Sequence, residues 1–543
     1  MIRTLLGWAR AHKEGKLRTL LWLYRWFRLS VLPRAYELGI FLRPNWVDGY
    51  YKLGDLLAQK YAWIVTTRSH NARKAASIGR RAVEHFENTI ALDPEYLEAY
   101  QLCSSMLNSM GKVDDSLRLL QRALDMQRSL AERHQLDKLA IRFISPIVAT
   151  CTIGAMTFLE TYVKAGILGL RTPGKPMLLV EPDQTVPNPH FLNYWRRYIT
   201  VISDPVAIEY LLPLVRYLED PLGWGVVCGG KLLLHASAAA MLYKQWEEEK
   251  RPPLLTLWRD DYERGWGRLK LMGVPEGAWF VGLHVREAGF KDGGGIQDLF
   301  RNADIETYLL AMKTIVARGG WVIRMGNPTM KRLPAMERVI DYAHSDFRSD
   351  WMDVFLCAQC RFFINTSSGL GAVAAAFGVP YVLTNYLPTC TVLFSSQDLF
   401  IPKLCWSKDQ DRYLTFEELM SHPVSTSCLQ HQYDQMNLET IDNLPDEIND
   451  LITEMLDRLD GEPRYSAEDE RLQRRFRTLT ALMGTLYGLD NFPINCKIGR
   501  DFLRKHASLL PPADGSEYGP ALSYSETEHP ANSFPSNEGV TNE

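Results

Sequence analysis

The sequence has no Gly-x4-Gly-Lys-Ser/Thr element and no Gly-x-Gly-x-x-Gly behind an apolar run, which argues against a phosphate-loop NTPase and a nicotinamide enzyme. Net charge is scarce as well: at −3 overall, no global attraction to nucleic acid is expected. The nine cysteines are an odd number without framework spacing, as in a reduced cytoplasmic protein rather than a disulfide scaffold. No uncharged apolar run reaches the roughly 18 residues that suggest a transmembrane helix. Leu20 to Leu32 is interrupted by Arg25 and Arg28 and lacks a signal cleavage site, while Phe143 to Leu159 holds Pro146 with several Ser and Thr and reads as buried core. Beyond Lys505 there is neither Lys nor Arg, and Pro, Ser, Asn and Glu prevail; residues 511–543 are expected to be a disordered tail.

What is present has room for several folded units, because 543 residues exceed one domain's usual size. Residues 1–75 open with Arg3, Arg10, Lys13, Lys16, Arg18, Arg25, Arg28 and Arg34 against the single acid Glu14, interleaved with Trp8, Trp22, Trp26 and Phe27. This basic amphipathic helical segment can lie on an anionic membrane surface through residues 1–36, or pack on its own protein. Residues 76–137 carry a tetratricopeptide-like pattern. Ala82, Phe86, Thr89 and Pro94 fill one copy, and Ser116, Leu120 and Ala123 follow Tyr100 and Ser104 in the next, with Gly111 at the turn. Such a short array must lean on its neighbours, as a protein-binding scaffold or as plain helical hairpins.

From 138 to 250 the order strand, helix, strand is expected: Met177–Val180, Phe191–Tyr198 and Ile199–Ile202. From 251 to 403 the alternation is clearer. Strands are expected at Trp279–Val285, Trp321–Met325, Arg361–Asn365 and Tyr381–Leu383, with helices at Glu306–Arg318, Trp351–Cys360 and Gly369–Phe377. Short apolar runs separated by helices indicate buried parallel sheets. The fold class is therefore α/β, with two Rossmann-like lobes facing a cleft. Residues 404–510 read as a helical extension, with Leu444–Leu459 and Ala467–Leu486 strongest and a capping box at Ser466 and Asp469.

Ligands of open α/β sheets bind beyond the carboxyl ends of strands, so polar residues there are the candidates. His284 and Arg286 alternate onto one face at the end of the first strand of the second lobe, with Glu287, Asp292 and the Gly293–Gly295 loop following. An arginine there suits bidentate contact with a phosphate; its structural alternative is a salt bridge. Arg324 ends the next strand and precedes Gly326, a turn that would let the backbone approach a ligand. Asn365-Thr366-Ser367-Ser368-Gly369 runs from a strand into a small-residue helix, where hydroxyls and free amides form an anion site. Together these residues favour a diphosphate. Asp409-Gln-Asp411 reads as a solvated turn, so no metal is expected, and Cys357-x-x-Cys360, on an apolar helix, reads as core.

With His284-Val-Arg286-Glu, Arg324-Met-Gly, Asn365-Thr-Ser-Ser-Gly-Leu-Gly, Asn188-Pro-His-Phe-Leu-Asn-Tyr-Trp, Pro253-Leu-Leu, Asp353-Val-Phe-Leu-Cys-Ala and Ile498-Gly-Arg-Asp-Phe-Leu, the chain resembles a family of bacterial glycosyltransferases of surface-polysaccharide gene clusters. The likeness covers roughly 140–510. The His-x-Arg element is also similar to that of fucosyltransferases of two-Rossmann, GT-B type, where the arginine contacts the donor phosphates. The resemblance implies a metal-independent, inverting hexosyltransferase-like enzyme that needs no cofactor beyond its nucleotide-sugar donor. Arg286 would stabilise the leaving diphosphate, Glu287 or Asp292 would be the base, and Asn188, His190, Asn193 and Trp195 would meet a glycan or lipid-linked acceptor, or else serve lobe packing. The expected location is cytoplasmic, peripheral to the inner membrane face. Two other classes fit the same residues: a helical-repeat adaptor with an inactive α/β domain, and a nucleotide-dependent polyol-phosphate transferase.

Overall fold

A computed structural model describes residues 24, 27–67, 72–110, 112–220, 225–287, 299–387, 395–421, 423–426, 430–479 and 496–511. Most of the basic segment, Gly111, Asp292, the Gly293–Gly295 loop, the end of the expected helix Ala467–Leu486 and nearly all of the expected tail lie outside the described residues. The chain divides into two compact units, one containing residues 1–127 and the other residues 128–525.

The first unit is helical, with Leu32–Leu42, Val47–Thr67, Ala72–Leu92 and Leu97–Ser109 complete within it and Val113–Arg133 reaching its boundary. The repeat-like positions are interior ones except for Pro94, which is exposed, Gly111 lying outside the described residues. Ala82, Phe86, Thr89, Tyr100, Ser104, Ser116, Leu120 and Ala123 are all buried. Two of them satisfy each other's hydroxyls across neighbouring helices, with Ser104 Oγ and Ser116 Oγ 2.8 Å apart.

The second unit is α/β. Strands β1 (Ile141–Ile144), β2 (Lys175–Leu179) and β3 (Thr200–Ile202) form a parallel sheet in the order β1-β2-β3, followed by the antiparallel hairpin β4 (Gly225–Cys228) and β5 (Lys231–Leu234). The apolar stretch at Phe143–Leu159 is core, with Phe143, Val148, Met156 and Leu159 buried. Among the described residues no helix is long and apolar enough to cross a membrane.

The larger sheet contains β6 (Phe280–His284), β7 (Trp321–Arg324), β8 (Val339–Ile340), β9 (Phe363–Asn365), β10 (Tyr381–Tyr386) and β11 (Leu399–Pro402). After the short antiparallel strands β12 (Leu404–Ser407), β13 (Arg412–Tyr413) and β14 (Leu438–Ile441), the edge strand β15 (Lys497–Ile498) completes it. The order is β15-β11-β10-β9-β6-β7-β8, all pairs parallel. That is the doubly wound Rossmann order with one strand added, and its direction reverses between β6 and β9. Alternate residues divide between two cores: Val281, Leu283, Val322 and Ile364 face one, while Phe280, Ile323 and Phe363 face the other.

The α/β class with two Rossmann-like lobes behind a helical segment is thus the observed one, the first lobe being the smaller. Residues 404–510 read as a helical extension from sequence but are only partly helical: they contribute the sheet β12–β14 and strand β15 beside the helices Pro445–Leu459 and Ala467–Thr478. Runs of two to four residues are too short for a period of two to register.

Candidate functional site

In a doubly wound sheet a ligand crevice is expected where the strand order reverses, here beyond the carboxyl ends of β6 and β9. His284 and Asn365 stand opposite each other in the β6–β9 register at that place. The loop behind β9 is stitched to the end of β6 by backbone and hydroxyl alike. Thr366 N donates to the His284 carbonyl at 3.3 Å, and Arg286 N donates to Thr366 Oγ1 at 2.8 Å. Thr366 and Asn365 are fully buried, whereas Ser367, Ser368 and Gly369 remain half-buried at the rim.

Ser368 is the N-cap of the eight-residue helix Gly369–Ala376 and has extended backbone angles, yet its hydroxyl makes no capping bond. It is diverted: Ser368 Oγ donates to Asn365 Oδ1 at 2.8 Å and lies 2.8 Å from His284 Nδ1. The first-turn amides therefore lack the side-chain acceptor that a serine N-cap usually supplies, a condition that favours an anion. Gly371 makes the diversion fit, since a Cβ there would lie 2.5 Å from Asn365 Nδ2.

Burial, then Arg324 and Arg286, push the His284 imidazole down to about 4, so it is neutral at physiological pH. Arg286 is half-buried at the crevice, and its carbonyl accepts from Ala303 N at 3.0 Å. Arg301, which sequence reasoning missed, donates through Nη2 to the Ser367 carbonyl and brings a second guanidinium to the loop. It ends a three-residue turn rather than a strand, so no strand-end signal marked it.

Arg324 is placed differently from the expectation. Its side chain is wholly buried, with Nη1 2.9 Å from Asp341 Oδ1 and Nη2 3.4 Å from Glu287 Oε2 and 3.1 Å from the Lys331 carbonyl. The guanidinium is thus committed to carboxylates, and its charge reaches the crevice only through space. Glu287 also accepts from Lys331 N at 2.8 Å, and its Oε1 has no hydrogen-bond partner among the described residues. Burial raises its pKa, against the pull of Lys331 N and Arg324. Gly326 has φ +142°, and the space a Cβ would need is taken by Met330 Sδ at 2.3 Å; the turn packs on its own loop.

The four residues expected at an acceptor are occupied within the protein. Asn188 caps the helix Pro189–Trp195 through Phe191 N and donates to the Asp350 carbonyl of the second lobe at 3.0 Å. His190 Nε2 sits 2.7 Å from Asp261 Oδ2, which also accepts from Tyr194 Oη. Trp195 is 0% exposed inside a core shared by both lobes, and exposed Asn193 accepts from Arg196 Nε. The contacts of Asn188, His190 and Trp195 are those of lobe packing, whereas that of Asn193 is local.

The lobes also meet at the site itself. The first-lobe turn Ile153–Met156 lies on the start of the helix Gly369–Ala376, so close that a Cβ on Gly369 would fall 2.8 Å from Gly154 N. Beneath, a buried network holds the loop: Thr384 Oγ1 donates to the Asn365 carbonyl, Tyr308 Oη lies 2.6 Å from Thr384 Oγ1, and Asn385 Nδ2 donates to Tyr308 Oη. Among the described residues no group of three or more His, Cys, Asp or Glu is placed to hold a metal ion. Cys357 and Cys360 are buried free thiols.

No family model matches the chain, and no curated protein matches it. Among solved structures, a family 9 glycosyl transferase from Veillonella parvula is 9% identical over 45% of this chain and 81% of its own, with a TM-score of 0.29. The ADP-heptose LPS heptosyltransferase II of E. coli is 13% identical over 45% and 84%, with a TM-score of 0.28. A mutant O-GlcNAc transferase from Thermobaculum terrenum is 14% identical over 91% and 93%, with a TM-score of 0.21. At such scores the likenesses carry no argument about the reaction, and the functional reading rests on the crevice.

Proposed function

We propose that this chain is a glycosyltransferase that holds a nucleotide sugar by its diphosphate at the β6–β9 crevice. The observation that carries the reading is the uncapped start of the helix Gly369–Ala376, its serine diverted, with Arg286 and Arg301 beside the same loop. Amides and guanidinium groups there would neutralise a departing nucleoside diphosphate, in a metal-independent and inverting transfer to a glycan or lipid-linked acceptor. Of the two carboxylates expected as base, Glu287 has an oxygen without a partner among the described residues and a raised pKa, both of which suit proton acceptance. Asp292 lies outside the described residues. Arg324 serves as a positioning residue, pinning Glu287.

The setting, surface-polysaccharide synthesis at the cytoplasmic membrane face, follows from the sequence resemblance. Membrane docking is further supported by exposed Leu38, Phe41 and Leu42 on the helix Leu32–Leu42, next to the basic segment. A protein partner on the tetratricopeptide-like helices is assigned from the repeat pattern alone.

Calorimetry against UDP-, GDP-, CDP- and dTDP-sugars tests the donor site. One member should bind, and Arg286→Ala should weaken it roughly tenfold or more, as expected for loss of a charge-assisted contact. A chain that binds none of them, or an Arg286→Ala variant with unchanged affinity, rejects the diphosphate site. Phosphate in the transferred product would instead identify a polyol-phosphate transferase.

A further inference from the structure

His284 is a buried, neutral ring at the end of β6, and the hydrogen bonds around it decide where its proton sits. Asn365 is the fixed point of this cluster. Its Nδ2 donates to the Ser368 carbonyl at 3.0 Å and to Tyr381 Oη at 3.4 Å, which fixes the amide orientation and leaves Oδ1 facing Ser368 Oγ. A carbonyl oxygen only accepts, so the single Ser368 hydroxyl proton points at Asn365 Oδ1. Toward His284, Ser368 Oγ can then only accept. Nδ1, 2.8 Å away, must be the protonated nitrogen.

In a neutral imidazole the other nitrogen carries the lone pair, and the partners of the His284 ring among the described residues, Ser368 Oγ 2.8 Å from Nδ1 and the Asn365 side chain, both belong to the loop behind β9. The charged groups around the ring keep it so. Burial first, then Arg324 on β7 and Arg286 on its own strand end, oppose protonation, and the weaker pull the other way comes from the Asn365 side chain; Glu287 and Asp341 face Arg324. A lone pair repels a phosphate oxygen, so this ring is wrongly equipped for the anion that the neighbouring amides and arginines suit.

We infer that His284 accepts a hydrogen bond from a hydroxyl of the bound nucleotide sugar through Nε2, and that it is not a ligand of the diphosphate. This rests on the donor reading proposed above and changes the role of one residue in it. The hydroxyl has two sources in such a ligand, the ribose and the transferred sugar. The ring then reads the polyol part of the donor while Arg286 and the helix amides read its charge.

The proton position is testable without any ligand. In the 15N-histidine-labelled full chain, with the His284 signal assigned by its loss in His284→Gln, Nδ1 should show the shift of a protonated nitrogen and Nε2 that of a bare one from pH 6 to 8. Ser368→Ala removes the Nδ1–H acceptor and should let the Nε2–H form appear. A bare Nδ1 in the unaltered protein overturns the inference.

For the ligand half, the probe is the nucleotide sugar selected by the calorimetric panel, whose diphosphate diester does not titrate in this range. His284→Ala should lower its affinity roughly tenfold, by about one hydrogen bond's worth, and the affinity of the unaltered protein should be flat from pH 6 to 8. If the free nucleoside diphosphate loses the same factor, the hydroxyl is the ribose's; if it loses nothing, the hydroxyl is the sugar's. Affinity that climbs about tenfold per unit of falling pH would mean an imidazolium on phosphate and would overturn the inference while leaving the donor site intact. Unchanged affinity in His284→Ala overturns it as well. An unaltered chain that binds no member of the panel overturns the donor reading itself.

Discussion

Gly369 and Gly154 are a pair whose side chains are absent for one shared reason. A Cβ on Gly369 would lie 2.8 Å from both Gly154 N and Ile153 Cγ2, and a Cβ on Gly154 would lie 3.1 Å from Gly369 Cα. Backbone cannot retreat as a flexible side chain can, so Gly369→Ala should cost about 1–3 kcal/mol, and Gly154→Ala less, in thermal or urea denaturation. Equal and negligible costs would show that the lobes do not press together here. At this scale the sequence was partly legible. His284, Arg286 and Asn365–Ser368 could be placed together because they end apolar strands, and strand ends on one sheet converge. Arg324 ends a strand too, but the acids that claim it, Asp341 and Glu287, lie 17 and 37 residues away, and no local pattern announces such partners. Trp195 looked like a sugar platform by type alone; its position in a core shared by both lobes depends on tertiary contacts.

Among the elements, the segment entering β11 carries the most unusual charge. Asp398 is buried, which raises its pKa to about 8, against the pull of hydrogen bonds from Tyr381 N and Ser395 N. The folded-state pKa lies above the ordinary 3.8, so this group's stabilising contribution is complete below about pH 4 and is lost as pH rises through 8. Asp398→Asn keeps an acceptor oxygen for one of the two amides, turns its Nδ2 toward the other and removes the titration. Its melting temperature relative to that of the unaltered protein should therefore rise from pH 4 to pH 8, as the unaltered protein loses stability over that range. A difference that does not change with pH would show that the carboxylate does not titrate there. Some longer elements were readable from hydrophobic period and caps, such as the helix Pro445–Leu459 and the Ser466–Asp469 capping box, whereas the helices Pro205–Leu218, His235–Glu248 and Arg259–Leu271 were not. Strands β8, β13 and β15, two residues each, are defined by the neighbours that they pair with and have no pattern of their own.

At the scale of the molecule, the helical unit presents Leu38, Phe41 and Leu42, 60%, 80% and 69% exposed, on the helix that follows the basic segment. If this is the docking face that we propose, the full chain should sediment with vesicles containing anionic phospholipid and not with purely neutral ones. Phe41→Glu should reduce the bound fraction several-fold and higher salt should reduce it further, since both apolar insertion and charge attraction contribute. Failure to sediment with anionic vesicles excludes the assignment. The larger sheet has a consequence for how the protein is made. Its edge strand β15 pairs Lys497 with Leu399 and Ile498 with Phe400, so a segment synthesised late closes a sheet whose other strands leave the ribosome much earlier. Until then a nascent chain carries the open edge of β11, a surface that invites pairing with other polypeptides. Any product of premature termination before Lys497 keeps that edge permanently, which makes such fragments targets for chaperones and proteases.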